Sequence, residues 1–210
     1  MKTVIKFFIV YLAMGTFLMT CTPKKMTPNQ SAPSQNEMDI KSYVAAKTPI
    51  DLADNSYYRI IQFGTVPPAD EQAVLKSPGI KILEYIPDYK YLVAITTDFQ
   101  KELLLTTSAE TIKKLEVGMK INNRLANWDI PVHASVGSKA KVGVIAMKGI
   151  RAKNYESDLK ALNLSVDYYG GDARFAYLTL SKSEVERVAQ LPWVRNVEII
   201  DEKGDPEGGK

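Results

Sequence analysis

The 210-residue chain is 45% hydrophobic and 24% charged, has a formal net charge of +3, and holds one cysteine and one histidine. Such proportions belong to ordinary globular proteins and exclude collagen-like and wholly disordered classes. One cysteine allows no intramolecular disulfide and no Cys–His zinc set, so neither a metal nor another cofactor is expected.

The chain opens with Lys2 and Lys6, then an apolar run, and reaches Cys21 in "LMTC". A short apolar run behind a basic start, residues 1–20, is a secretory signal and too short for a comfortable membrane span. "LMTC" resembles the lipobox of bacterial lipoproteins, although Met19 and Thr20 are larger than that pattern prefers. The resemblance implies lipidation of Cys21 and a chain held by that anchor alone at the bacterial outer membrane or cell surface. A plain signal peptide with an incidental cysteine is the other reading. Removing residues 1–20 lowers the net charge from +3 to +1, which gives no case for a nucleic-acid partner. Residues 21–55, with Pro23, Pro28, Pro33 and Pro49 among polar residues, read as a flexible tether.

From Tyr57 the order of elements repeats. "YYRIIQFG" predicts a strand, "PADEQAVLKSPG" a helix closed by Gly79, "IKILEYI" a strand and "PDYKYLVAIT" a turn and strand. "TSAETIKKLE" then predicts a helix, with a capping box at Thr107 and Glu110, and "GMKINNRL" a strand. The second pass runs "KVGVIAMKG" (strand), "AKNYESDLKALN" (helix), "LSVDYYG" (strand), "GDARFAYLTLS" (turn and strand), "KSEVERVAQLP" (helix) and "WVRNVEIID" (strand). Its second helix has the same capping box at Ser181 and Glu184. Strand–helix–strand–strand–helix–strand, twice, is the split βαβ arrangement. The expected fold is α+β: two tandem ferredoxin-like units with four-stranded antiparallel sheets, over residues 56–126 and 141–201. Residues 127–140 serve as a linker and 202–210 as a carboxy-terminal tail.

In the second unit, period-2 alternation puts Ala176, Leu178 and Leu180 beneath the helices, with Val185, Val188 and Leu191 above them. Val197 and Ile199 join that core, which leaves Phe175, Tyr177, Asn196, Glu198 and Ile200 on the open sheet face. Exposed aromatic patches have partners; the bland reading is that the sister unit covers them.

"FAYLTLSKSEVERVAQLPWVRNVEIID" resembles the third strand, second helix and fourth strand of the subtilisin propeptide family of peptidase inhibitors. The match is carried by Phe175, Ala176, Leu180, Ser181, Glu184, Leu191, Pro192, Val194, Val197, Glu198 and Asp201. The family pattern Val-Glu-x-Asp is interrupted here by Ile200. "GIKILEYIPDYKYLV" in the first pass is similar to prodomains of exported bacterial subtilisin-like proteases, but a long "TTDFQKELLLTTS" precedes its second helix. The family lays its open sheet face on the protease and threads its carboxy-terminal tail into the active-site cleft.

The resemblance therefore implies a lipid-anchored inhibitor of a secreted subtilisin-like serine protease, free-standing because no catalytic domain follows Asp201, and of the potempin type. Phe175, Tyr177 and Glu198 would dock, Glu198 by facing a protease helix terminus. The tail of Glu202, Lys203, Gly204, Asp205, Pro206, Glu207, Gly208, Gly209 and Lys210 would occupy the cleft. A second cleft candidate is "NNRLANWDIPVH", residues 122–133, with Leu125, Trp128 and Ile130; its other reading is a packed linker. Catalysis is not expected: His133, the lone histidine, sits in a connector, with Ser135 as its one conceivable partner. Two other functions stay open, an envelope scaffold without protease affinity and a chaperone for a secreted protease.

Overall fold

The computed structural model describes residues 37–47 and 49–203; the signal segment, Cys21 and residues 204–210 lie outside them. The structure is mixed α+β, with two antiparallel sheets of five strands each. The first takes β1 (Glu37–Asp39), β2 (Ser56–Phe63), β3 (Ile80–Ile86), β4 (Lys90–Thr96) and β5 (Ala109–Lys114), in the order β1-β5-β2-β4-β3. The second takes β6 (Ser135–Val136), β7 (Lys139–Ala146), β8 (Tyr168–Gly170), β9 (Phe175–Leu180) and β10 (Val194–Ile199). Its main path is β10-β7-β9-β8, with β6 folded back on β7.

Each sheet has one strand more than the sequence predicts, because the tether and the linker each contribute one. Residues 37–45, expected to be flexible, form β1 against β5 and helix α1 (Ile40–Ala45). Asp39 caps α1 by accepting the Ser42 amide at 3.0 Å. Ile40 and Tyr43, one turn apart, are both buried, and the Tyr43 hydroxyl meets that of Tyr57 at 2.6 Å. Six helical residues among prolines and polar residues are too few to raise a periodic signal.

The larger correction is in the first half. "AETIKK", expected to be helical, is β5, paired with β2 through Ile112↔Ile61 and with β1 through Ile112↔Met38. Thr107 and Glu110 therefore frame no capping box. The helical position between β4 and β5 is filled by a 3-10 helix, Lys101–Thr106, which buries Leu104. β-Branched Thr111 and Ile112 gain a pairing partner on each side, and that tertiary gain overrides the weak helix signal of the charges around them. The expected strand "GMKINNRL" is instead two single turns, α3 (Val117–Lys120) and α4 (Asn123–Ala126).

Elsewhere the elements fall where the patterns put them. Helix α2 is Ala69–Val74, α5 is Glu156–Ala161 and α6 is Lys182–Ala189. The capping box of α6 forms, with the Ser181 amide donating to Glu184 Oε2 at 2.7 Å. That amide and the nearby Lys139 ammonium hold the Glu184 carboxyl below its ordinary range. Replacing Ser181 by alanine is expected to cost about 1 kcal/mol, read from the denaturant midpoint at unchanged slope.

Two apolar clusters result. One lies between the first sheet and α1, α2 and the 3-10 helix, around Tyr57, Ile61, Phe63, Val93 and Ile95. The other joins Ala176, Leu178, Val185, Val188, Val197 and Ile199 of the second half to Tyr58, Ile60 and Leu92 on the opposite face of the first sheet. The first sheet is thus covered on one side by its own helices and on the other by the second half. Arg195 of β10 bonds Glu84 of β3 at 2.9 Å across that junction.

Candidate functional site

The outer face of the second sheet, turned away from α5 and α6, is built by pairing. Glu198 stands opposite Gly143, Gly143 opposite Tyr177, and Tyr177 opposite Tyr168. Gly143 leaves a gap in this row, and the tyrosines close the far side by stacking face to face, centroids 4.1 Å apart and 9° from parallel. Ala176, Leu178 and Leu180 point inward and are buried, as the alternation requires.

Two predicted docking aromatics are used up within the fold. A Cβ on Gly171 would lie 2.5 Å from the Phe175 ring, and one on Gly170 would lie 2.8 Å from the Tyr177 ring. Both rings therefore cover bare backbone at the β8–β9 turn, a close approach that glycine alone permits. Gly171 also has φ +55°, in the left-handed region. Phe175 is half-buried under the Arg174 guanidinium, and Tyr177 is only 4% exposed. The ring this face offers to solvent is Tyr168, 51% exposed, which the sequence reading passed over.

Glu198 does not present its carboxylate either. It is 6% exposed, and Asn196 donates its side-chain amide to Glu198 Oε1. A carboxylate so enclosed has no line to a partner's helix terminus, which corrects the role expected for it.

Beside Tyr168 a cavity of about 340 Å³ opens between the sheet and the end of the described chain. Tyr168, Tyr177 and Ile200 give it apolar walls, while Lys141, Asp167, His133, Asp201 and Glu202 give it charge and polarity. Asp167 is fixed at both ends: its amide donates to the Tyr177 carbonyl at 2.7 Å, and its Oδ2 accepts from the Thr179 hydroxyl at 3.0 Å. His133 Nε2 lies 3.0 Å from the Ile200 carbonyl oxygen. That oxygen can only accept, so the imidazole carries a proton on Nε2 and turns Nδ1 toward Glu202, 3.8 Å away. The lone histidine thus ties the connector to the exit of β10. Lys203 follows, its amide donating to Asp201 Oδ1 at 2.9 Å; residues 204–210 of the predicted tail are outside the described part.

The second cleft candidate is corrected. Leu125 is 1% exposed, and Trp128 and Ile130 pack against the larger core. Ile121 bridges Val197 in parallel, and the Asn122 amide donates to the Val197 carbonyl at 3.0 Å. The segment is pinned along β10 and would have to unzip before its apolar side chains could enter a cleft.

Tyr168, Lys141 and Asp167 were missed for one reason. Each is unremarkable in sequence, and the pairing of β8 with β9 and β9 with β7 is what gathers them. Among the described residues no group of three or more His, Cys, Asp or Glu side chains is set to hold a metal ion, and no helix is long and apolar enough to cross a membrane.

A family model described as Domain of unknown function (DUF8729) matches residues 11–133, more than half of the chain. The match ends at His133, so the whole second sheet, β6 to β10, lies beyond it. No curated protein and no solved structure matches the chain.

Proposed function

We propose that this chain, which belongs to the DUF8729 family, is a lipid-anchored protein inhibitor of a secreted subtilisin-like serine protease. It consists of two tandem ferredoxin-like units, each with one strand added. The support for that finer reading is strand order. In the first half β5-β2-β4-β3, and in the second β10-β7-β9-β8, the four strands of each unit run fourth, first, third, second, all antiparallel. This is the order a split βαβ motif produces when both crossovers lie on one side of the sheet.

The observation that carries the functional reading is the exposed Tyr168, on the outer face of the second sheet, beside the point where the chain leaves β10. Only the second unit has such a face to offer, because its partner covers the equivalent face of the first. The protease docks around Tyr168, and the segment from Glu202 onward lies extended in the substrate groove, adding main-chain hydrogen bonds as a further strand. Cys21 supplies the anchor.

Titrating the protein against a panel of subtilisin-like and metalloproteases is expected to give tight, stoichiometric loss of activity for a subtilisin-like enzyme. Deleting residues 202–210 should weaken inhibition by at least about tenfold, equivalent to ~1.4 kcal/mol. Undiminished inhibition by the truncated chain would remove the tail from the mechanism; no inhibition of any protease in the panel would sink the reading.

A further inference from the structure

We infer that the cavity beside Tyr168 is a receptor for an arginine side chain of the docked partner. As to its biological occupant this rests on the docking reading above, but binding of a free guanidinium stands on the cavity alone. Three carboxylates border it, Asp167, Asp201 and Glu202, against one ammonium, Lys141, and a histidine committed to the Ile200 carbonyl. The balance of charge favours a cation. The stacked Tyr168–Tyr177 pair supplies a π face, which also attracts cations, and Ile200 supplies apolar surface for an aliphatic stem.

Guanidinium suits this combination better than ammonium. It is planar, weakly hydrated, able to stack on a tyrosine and to fork its N–H groups toward carboxylates. Asp167 is well prepared to receive it, since bonds from Thr179 and to the Tyr177 carbonyl hold the carboxylate in place before any ligand arrives. At about 340 Å³ the cavity has room for an arginine side chain. Lys141 opposes the ligand's charge, so replacing Lys141 by methionine should tighten binding.

The test is to titrate the purified full-length chain with N-acetylarginine methylamide, following ring resonances of Tyr168 by NMR, alongside the uncharged isostere N-acetylcitrulline methylamide and the lysine analogue. Saturable shifts are expected at Tyr168 and Asp167, with citrulline at least about fivefold weaker and lysine intermediate. Tyr168→Ala, at an exposed ring, and Asp167→Asn, which can still accept from Thr179, should each weaken arginine binding about fivefold. Equal binding of arginine and citrulline, lysine binding as tightly as arginine, or unchanged affinity in both variants overturns the inference. If arginine fails to bind while protease inhibition persists, the receptor is refuted and the inhibitor reading survives. If arginine binds but no protease is inhibited, the receptor stands and the protease reading falls.

Discussion

Trp193→Ala is expected to lower the unfolding free energy by about 3–5 kcal/mol. Trp193 follows Pro192 in the turn between α6 and β10 and is fully buried. Its ring stacks on Tyr155 with centroids 5.5 Å apart and 24° between planes, and its Nε1 donates to Asp158 Oδ2 at 3.1 Å. Its carbonyl accepts from the Met147 amide at 2.8 Å, fixing the end of β7. Truncation would leave a void among α5, β7 and β10 and take the indole donor from Asp158. Domains of this size have only about 5–15 kcal/mol in hand, so the variant should sit near the edge of folding at 37 °C. Trp193→Phe keeps most of the packing and loses the Asp158 bond, for which about 1 kcal/mol is expected. Urea denaturation of the three proteins decides it; a loss for alanine no greater than for phenylalanine would show that the site collapses around the gap.

The second large effect concerns pH. Lys120 is 3% exposed, and its ammonium donates to the Leu191 carbonyl at 2.9 Å. Burial, helped by the positive charges of Lys114 and Arg195 and resisted by Asp51, pulls its pKa down to about 8. In the unfolded chain the same amine titrates near 10.5. Between those values the unfolded state holds a proton that the folded state has released, so stability rises as pH increases from about 8 toward 10.5. At 1.36 kcal/mol per unit, the gain has an upper bound of roughly 3 kcal/mol. Above pH 10 a counter-current sets in. Tyr43 and Tyr58 are held protonated, chiefly by burial, so each resists the ionisation that the unfolded chain accepts, and stability then falls. The expected profile is a maximum close to pH 10. Lys120→Met should abolish the rising limb and leave the falling one, because an apolar side chain of similar length has no charge to desolvate. A Lys120→Met profile parallel to that of the parent would refute the assignment.

How far the sequence carried can be judged from individual elements. The strands and helices expected in the second half form, although the strand expected over "LSVDYYG" shortens to Tyr168–Gly170 and the helix expected from Ala152 starts as a 3-10 turn. Ser181, Glu184, Val185 and Val188 stand where a capped amphipathic helix requires them. The first half misleads at "AETIKK", where local charge pattern suggests a helix and the demand for a strand beside β2 prevails. α1 escaped because its apolar stripe is only one turn long. For the site, alternation correctly placed Tyr177 and Glu198 on the outer face, but a face is not an exposure. Gly170 and Gly171 invite the rings of Tyr177 and Phe175 down onto the backbone, and no period in the sequence reports that. Tyr168 becomes visible only once β8 is known to pair with β9 in the register Tyr168↔Tyr177.

The parallel bridge from Ile121 to Val197 has one more effect. A strand at the rim of a sheet displays unpaired amides and carbonyls that can template pairing between molecules. On β10 the segment at Ile121 and Asn122 supplies a partner from within the same chain. The other rims are blunted differently: β1 and β8 are three residues long, and β3 carries an irregularity between Ile82 and Glu84 together with the charges of Lys81 and Glu84. Copies of the molecule brought close together at high concentration would thereby resist zipping into fibres through their sheet rims.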